Sequence, residues 1–301
     1  MKLLVIHNLH SGFGEGAIYD FIRSYAVGGD TVTLRFFDGS ITFKELLTDA
    51  GEYDFVVACG GDGTISAISY ELRNTGIPIL PFPAGTANLL ALNLLSPNEP
   101  HALAKIVDQA HTLTFDLCEI TTNQGSVGFS IMAGCGYDEL IMRKASDKKR
   151  LLGPMAYFEA AFTNPNPPVS QFKLTIDGKV YESSGIGVVF VNFAKIQFDL
   201  MVADKNRPRD GMIDVVVLKT KSALELLPTI FAKAVDHSGG LAKKIGSLEM
   251  YCGKEVSLEA NPSMTIEYDG EPTTFTTPLT VKCLQGAVRY IVSEECMQMF
   301  S

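Results

Sequence analysis

Residues 56–65, VVACGGDGTI, limit the architecture more than any other part of the sequence. An apolar strand pattern there runs directly into Gly60, Gly61, Asp62, Gly63 and Thr64, and a helix-like pattern follows. Three glycines in four positions let a backbone approach a phosphate closely, and the N-terminus of the next helix supplies N–H donors, with Thr64 as its cap. An aspartate would repel that phosphate unless a cation lay between them, so Asp62 implies Mg²⁺, bound directly or through water. The alternative is a glycine turn without a ligand.

Two further loops repeat this logic. Gly85, Thr86 and Asn88 follow the apolar run 77–82, and Asn8, Ser11 and Gly12 follow the first strand. Helix capping alone would explain either loop. Three phosphate-compatible loops at the ends of neighbouring strands, however, favour one shared ligand, and a nucleotide is the simplest choice.

The chain has 301 residues, which favours two domains over one continuous core. Strand-length apolar runs at 2–6, 32–36, 55–58 and 77–82 alternate with helical patterns, which predicts a doubly wound parallel α/β domain over residues 1–118. Strand patterns dominate after Cys118, at 127–132, 172–176, 185–192, 213–218, 264–268 and 279–283. They predict a β-sandwich-like domain over residues 119–286, with helical insertions at 137–146 and 223–235.

Charge and composition exclude several classes of protein. The net charge is −9, which argues against a nucleic-acid partner that would need a basic surface. No apolar run reaches the ~18 residues of a membrane-spanning helix. The six cysteines form no CxxC pair, a pattern typical of a reducing compartment, and we therefore expect a cytoplasmic protein.

Five segments, taken in order, resemble the diacylglycerol kinase catalytic-domain superfamily, which includes bacterial lipid kinases and sphingoid-base kinases. They are similar to its N-P-x-S-G, GGDGT, P-x-G-T-x-N, D-G-x-x-D and D-G-E motifs, and they start at Asn8, Gly60, Pro83, Asp210 and Asp269. The resemblance implies a three-layer nucleotide domain joined to a β-sandwich domain, with the active site between them. It also implies that residues 287–301 return to the first domain. Three departures concern ATP contacts: Leu9 replaces a proline, Leu89 replaces an acidic residue, and a threonine is missing near Arg35.

The resemblance also implies site residues. ATP would be bound by Asn8, Ser11, Gly12, Gly60, Gly61, Asp62, Gly63, Thr64, Gly85, Thr86 and Asn88. Asp210, with the backbone carbonyls of Arg207 and Met212, would hold a structural Mg²⁺. Asp269, Glu271 and Asp62 would be the catalytic carboxylates. Asp269 is the preferred general base, although Glu271 two positions later is an alternative, and Asp269-Gly270 alone is typical of a hairpin turn.

A basic cluster lies within residues 143–150. It consists of Arg143, Lys144, Lys148, Lys149 and Arg150. A solvated helix face and a lipid-facing edge are equally good interpretations, the second because basic residues are attracted to anionic headgroups.

The sequence therefore predicts an ATP- and Mg²⁺-dependent lipid kinase with peripheral membrane contact. A small-molecule kinase such as an NAD kinase and a catalytically silent nucleotide-binding regulator are the alternatives. The identity of the lipid and the oligomeric state stay open, a homodimer included.

Overall fold

The computed structural model describes residues 1–11, 16–26, 30–137, 164–194, 207–226 and 247–301 of the protein. The chain divides into two compact units. Unit 1 comprises Met1–Leu117 and Gln285–Ser301, and unit 2 comprises Cys118–Leu284. The first boundary falls beside Cys118, where the sequence changes from alternating helices and strands to mostly strands.

Unit 1 alternates strands and helices in chain order. The elements are β1 (Lys2–Asn8), α1 (Ala17–Ala26), β2 (Thr31–Phe37), α2 (Phe43–Leu46), a 3₁₀ turn (Ala50–Glu52), β3 (Phe55–Gly60), α3 (Asp62–Glu71), β4 (Pro78–Pro83), α4 (Leu89–Asn93) and α5 (Pro100–Gln109). All four predicted strands of this half are present, each within two residues of its predicted ends.

The strands of unit 1 form a parallel sheet in the order β2-β1-β3-β4. Both faces are covered, as parallel sheets require, so β3 is buried at all six positions. Val5 and Val57 pack with α1 and α5 on one face. Helix α3 packs against β3 and β4. The chain places β2 on one side of β1 and β3 on the other, so the strand order reverses between β1 and β3; sheets of this kind bind ligands at such a switch point.

The C-terminal segment completes this sheet. The last residues of β16 (Leu279–Ile291) pair in parallel with β4, and α6 (Glu294–Phe300) follows. Tyr290 is fully buried, and its hydroxyl lies 2.9 Å from the hydroxyl of Ser69 in α3. Unit 1 is therefore built from both ends of the chain.

Unit 2 consists mainly of antiparallel strands. They are β5 (Thr112–Thr122, from Cys118 on), β6 (Gly125–Phe129), β7 (Met132–Gly136), β8 (Ser170–Ile176), β9 (Lys179–Gly185), β10 (Gly187–Val191), β11 (Ile213–Leu218), β12 (Leu248–Gly253), β13 (Glu255–Asn261), β14 (Thr265–Tyr268), β15 (Glu271–Thr276) and the first part of β16. A 3₁₀ turn occupies Ala223–Leu226.

The strands of unit 2 lie in two sheets. One follows the order β16-β13-β8-β9, and the other follows β12-β11-β10-β7-β14-β15. Side chains from both sheets, such as Leu174, Phe190 and Val281, share one buried core. This architecture, a parallel α/β sheet plus a separate antiparallel domain, confirms the predicted fold class.

Several local predictions differ from the structure. The predicted strand 127–132 is two strands, β6 and β7, because the chain turns at Ser130-Ile131. Strands β9, β12, β13 and β15 were not predicted, since their polar residues weaken the apolar signal. The predicted insertions at 137–146 and 223–235 lie for the most part outside the described residues.

No described helix is both long and apolar enough to cross a membrane.

Candidate functional site

The loop after β1 is tied to the start of α3. Asn8 Nδ2 donates to Thr64 Oγ1 at 2.7 Å, and the Gly61 amide donates to Ser11 Oγ at 3.3 Å. Asn8 Oδ1 also accepts from the His10 amide at 2.9 Å, which turns the loop back on itself. These contacts correct the expected role of Thr64. It lies in the first turn of α3, whose N-cap is Gly61, and it accepts from Asn8 instead of capping the helix.

The glycine loops after β3 and β4 touch each other. The Ala84 amide donates to the Gly60 carbonyl at 3.0 Å. A Cβ added to Gly85 would lie 2.5 Å from the Gly61 Cα, and one added to Gly60 would lie 2.5 Å from the Thr64 side chain. Any larger residue at Gly85 would therefore push the two loops apart.

Asn88 shapes the second loop. Its φ is +51°, in the left-handed region, and it is the N-cap residue of α4, but its side chain makes no capping hydrogen bond to the helix. Instead, Asn88 Oδ1 accepts from the Gly85 amide at 2.8 Å, and its Nδ2 donates to the Gly85 carbonyl at 3.1 Å. This pair of bonds fixes the turn that carries Thr86, whose side chain is exposed.

Asp62 joins the two glycine segments through its carboxylate. Its Oδ2 accepts from the Leu89 amide at 3.0 Å, and its Oδ1 accepts from the Leu90 amide at 2.9 Å. The residue is 8% exposed. The replacement of an acidic residue by Leu89 leaves this link intact, because the backbone amide makes it.

Ten of the eleven predicted nucleotide-site residues lie in described segments, and contacts between the three loops bring most of them together. No specific contact distinguishes Gly63, and Gly12 lies outside the described residues. Arg35, near the position where the family has a threonine, is held elsewhere: its guanidinium forms paired 2.6 Å bonds to the two carboxylate oxygens of Asp49.

Asp269 is a buried acceptor for three backbone amides. Its Oδ2 accepts from Ser130 N at 2.8 Å, and its Oδ1 accepts from Ile131 N at 2.9 Å and Met132 N at 3.0 Å. Its own amide donates to the Met132 carbonyl at 2.9 Å. The sequence did not reveal these donors; the only signal was the polar Ser130 within an apolar run.

Asp269 and Gly270 form the two-residue turn between β14 and β15. Their φ values are +47° and +80°, as in a type I′ turn, and Tyr268 pairs with Glu271 across it. Glu271 is exposed at the first position of β15. Burial, and then the charges of Asp269 and Glu271, raise the pKa of the Tyr268 hydroxyl. The turn therefore presents one buried and one accessible carboxylate.

Asp210 already has partners on both carboxylate oxygens. Its Oδ1 accepts from the Met212 amide at 3.0 Å, and its Oδ2 lies 3.4 Å from Arg207 Nε. In the part of the chain that the structure describes, no three His, Cys, Asp or Glu side chains cluster closely enough to hold a metal ion. A cation at Asp210 would have to compete with the guanidinium, so the residues as arranged do not fit Mg²⁺ well.

The basic cluster of residues 143–150 lies outside the described residues.

Comparison with known proteins gives two family matches. The diacylglycerol kinase catalytic domain matches residues 2–120, and the YegS C-terminal NAD kinase beta sandwich-like domain matches residues 131–292. An uncharacterized protein of Synechocystis sp. is 28% identical over 252 residues, covering 81% of this chain. The chain spans only 56% of that relative's length.

Two other similar proteins carry kinase names. A Staphylococcus aureus protein named "Putative lipid kinase SaurJH9_0749" is 26% identical over 253 residues, covering 80% of this chain and 78% of its own. A crystal structure described as a diacylglycerol kinase from Bacillus anthracis superposes with a TM-score of 0.75 at 18% identity, covering 98% of both chains. At that identity the superposition supports the fold alone. The catalytic-domain match and the C-terminal match follow each other and together span almost the whole chain, so the protein belongs to the diacylglycerol kinase catalytic-domain superfamily.

Proposed function

We propose that this protein is a lipid kinase, which transfers the γ-phosphate of ATP to a lipid hydroxyl. The observation that carries the proposal is the junction of three glycine-containing loops after β1, β3 and β4 of unit 1. Family membership supports kinase chemistry, and the lipid acceptor is inferred from the names of similar proteins.

The loops of unit 1 are suited to a triphosphate. A Cβ on Gly85 would lie 2.5 Å from the Gly61 Cα, so the second loop can approach the first at this point only because Gly85 has no side chain. The first intrahelical bond of α3 runs from Ile65 N to Gly61 O, so the earlier amides of the helix point toward its N-terminal end, where anions bind. Mg²⁺ bound with ATP would neutralise charge on the β- and γ-phosphates.

We assign the general base to Glu271 in preference to Asp269. A carboxylate that accepts three backbone N–H bonds is stabilised in its charged form, which makes it a weak proton acceptor. Glu271 is exposed, and it stands one residue beyond the turn that Asp269 fixes. We propose that Glu271 takes the proton of the acceptor hydroxyl and that Asp269 holds the turn.

The ATP contacts, the metal site at Asp210 and the localisation are also proposals, and each rests on a different observation. ATP contacts at Asn8, Ser11 and Gly85 are supported by the loop geometry. A structural Mg²⁺ at Asp210 is supported only by the family motif and is opposed by Arg207, so no step of the reaction depends on it. Cytoplasmic localisation with peripheral membrane contact is supported by composition and by the basic residues of 143–150.

A small-molecule kinase is the second candidate. The family description of residues 131–292 refers to an NAD kinase β-sandwich, so the same domain type is associated with a soluble acceptor. The late D-G-E segment, with its exposed Glu271, favours the lipid acceptor.

A screen with γ-labelled ATP tests the proposal. Purified protein, Mg²⁺ and detergent-dispersed diacylglycerol, other glycerolipids or sphingoid bases are incubated, and label is followed into the organic phase. NAD in parallel samples tests the second candidate. Label in a lipid, abolished by Gly85→Val, supports lipid phosphorylation. Label in NAD alone would replace the proposal, and ATP binding without transfer to any acceptor would favour a silent regulator.

A further inference from the structure

We propose that Asn192 is a positioning residue for the turn that carries Glu271. This inference rests on the proposed function only where it assigns proton abstraction to Glu271. The structural part depends on contacts within unit 2 alone. These contacts join the end of β10, the start of β7 and the β14–β15 turn.

Asn192 holds the segment that binds Asp269 through its side-chain amide and its backbone amide. Its Nδ2 donates to the Ser130 carbonyl at 2.7 Å. The Asn192 backbone amide donates to the Ile131 carbonyl at 2.9 Å, and the Phe193 amide donates to the same oxygen at 3.1 Å. The bend at Ser130-Ile131 is thus anchored to the end of β10 by its carbonyls.

The opposite side of the same bend faces the Asp269 carboxylate. The amides of Ser130, Ile131 and Met132 converge on its two oxygens. Three consecutive amides point the same way only if the bend keeps its shape. Asn192 therefore determines the direction of the donors, and the donors determine where Asp269 lies.

Burial makes the arrangement rigid. Ser130 is 1% exposed, Asn192 5% and Asp269 9%. A second buried carboxylate, Glu267, accepts from the Gly270 amide at 3.1 Å and braces the turn from inside. In such surroundings a broken bond cannot be replaced easily by water, so the loss of Asn192 should change the bend.

Glu271 leaves this turn directly. A base must lie within hydrogen-bond reach of the hydroxyl that it deprotonates, and an error of about 1 Å can lower the rate ~10²-fold. Asn192 would therefore affect the chemical step without contacting a reactant. Its substitution should lower kcat and leave the KM for ATP almost unchanged.

The first test measures structure without any activity. Hydrogen exchange in the full-length protein is compared between wild type and Asn192→Ala, in peptides covering residues 128–134 and 264–272. We expect faster exchange in both peptides and unchanged exchange in β12 and β13. Unchanged exchange in the 264–272 peptide would overturn the proposal. If the alanine variant is not recovered folded, Asn192→Ser, which keeps a shorter donor, carries the same comparison.

Ser170→Ala is the matched control. Ser170 is 1% exposed in the same unit, and its hydroxyl also donates to a backbone carbonyl, that of Pro262, at 2.9 Å. Its loss should destabilise unit 2 to a similar degree without faster exchange at residues 264–272. Equal effects of the two variants on that peptide would show general loosening and would refute a specific role.

The second test is kinetic. Asn192→Ala should lower kcat about 10- to 100-fold, with the KM for ATP within about twofold of wild type. In a Glu271→Gln background the same change should have little further effect, because the group that it positions is already absent. Multiplicative losses would overturn the kinetic role. A Glu271→Gln variant with wild-type activity would refute the proposed base, whereas the exchange result would still decide whether Asn192 holds the turn.

Discussion

Asp62 and Asp269 both use their carboxylates to bind backbone amides of a distant segment. Asp62 accepts from two amides at the start of α4, and Asp269 accepts from three at the bend that leads into β7. Each bond is charge-assisted, and all but the partly buried bond from Leu89 are buried, so removing the acceptor would leave donors unsatisfied. Both residues stand in motifs that the sequence associates with catalysis, but their contacts give each a structural task.

The first prediction separates the two late carboxylates. Glu271→Gln should lower kcat ~10²–10⁴-fold with little effect on stability, because the side chain is exposed and acts only on the acceptor hydroxyl. Asp269→Asn should instead lower the free energy of unfolding by about 2–4 kcal/mol, since one amide oxygen replaces two charged acceptors. Steady-state kinetics and urea unfolding measure the two effects. A greater kcat loss at Asp269 with unchanged stability would return the base role to Asp269.

The second prediction concerns Asp62→Asn. The sequence alone predicts lost activity with an intact fold, through loss of a charge near the phosphates. The contacts add a structural effect, because the asparagine Nδ2 would face either the Leu89 or the Leu90 amide. We expect an activity loss of orders of magnitude together with about 1–2 kcal/mol of destabilisation. A variant that is destabilised but turns over at the wild-type rate would show that Asp62 is structural only.

The third prediction tests the metal assigned to Asp210. If the family motif operates, Asp210→Ala should raise the Mg²⁺ concentration needed for half-maximal activity. The Arg207 contact predicts a competing result, a small loss of thermal stability with an unchanged Mg²⁺ requirement. A Mg²⁺ titration of the variant beside wild type decides between them, and the second result would remove the metal site.

At the scale of elements, motifs were easier to predict than contacts. Strands β1 to β4 have strong apolar runs, and the glycine loops after β1, β3 and β4 could be recognised from local pattern. The bend at Ser130-Ile131 does not, because its role depends on Asp269, 139 positions away from Ser130. Strand β9 was missed for a related reason: only one of its seven residues is buried, and its place in the sheet depends on pairing with β8 more than on its own composition.

The Arg35–Asp49 pair links two elements of unit 1. Asp49 lies just before the 3₁₀ turn, and the Arg35 hydrogen bonds from β2 lower the pKa of its carboxyl. A carboxyl with a lowered folded-state pKa adds stability at pH values above its unfolded pKa of about 3.9, and that stability is lost as the pH falls through the folded value. Both side chains are partly exposed, so the pair should contribute about 1 kcal/mol or less.

The fourth prediction follows from this pair. Asp49→Asn should unfold more easily than wild type at pH 7, and the difference should shrink below about pH 4, where wild type also loses the charge. Urea unfolding at several pH values measures the difference. A gap that stays constant down to pH 2 would show that the ion pair is not its cause.

At the scale of the whole molecule, both ends of the chain form unit 1. Ser69 lies in α3 and Tyr290 at the end of β16, separated by 221 positions, yet their hydroxyls lie 2.9 Å apart and both residues are fully buried. A contact that joins such distant segments forms only when the C-terminal strand is in place. The contribution of this hydrogen bond to stability therefore depends on β16 being paired in the sheet of unit 1.

The fifth prediction tests this contact. Tyr25, a buried tyrosine whose hydroxyl makes no hydrogen bond to any described residue, is the control. Tyr290→Phe should lower the free energy of unfolding by about 1–2 kcal/mol, because the buried Ser69 hydroxyl loses its partner. The Tyr25 hydroxyl is also buried, it has no hydrogen-bond partner among the described residues, and burial raises its pKa to about 12. Tyr25→Phe should therefore be neutral or slightly stabilising, since it removes an unsatisfied polar group. Thermal and urea unfolding of the two variants provide the comparison. Equal destabilisation by both would mean that the Ser69–Tyr290 hydrogen bond contributes nothing beyond the packing of the ring, and that the C-terminal strand is held in unit 1 by apolar contacts and strand pairing alone.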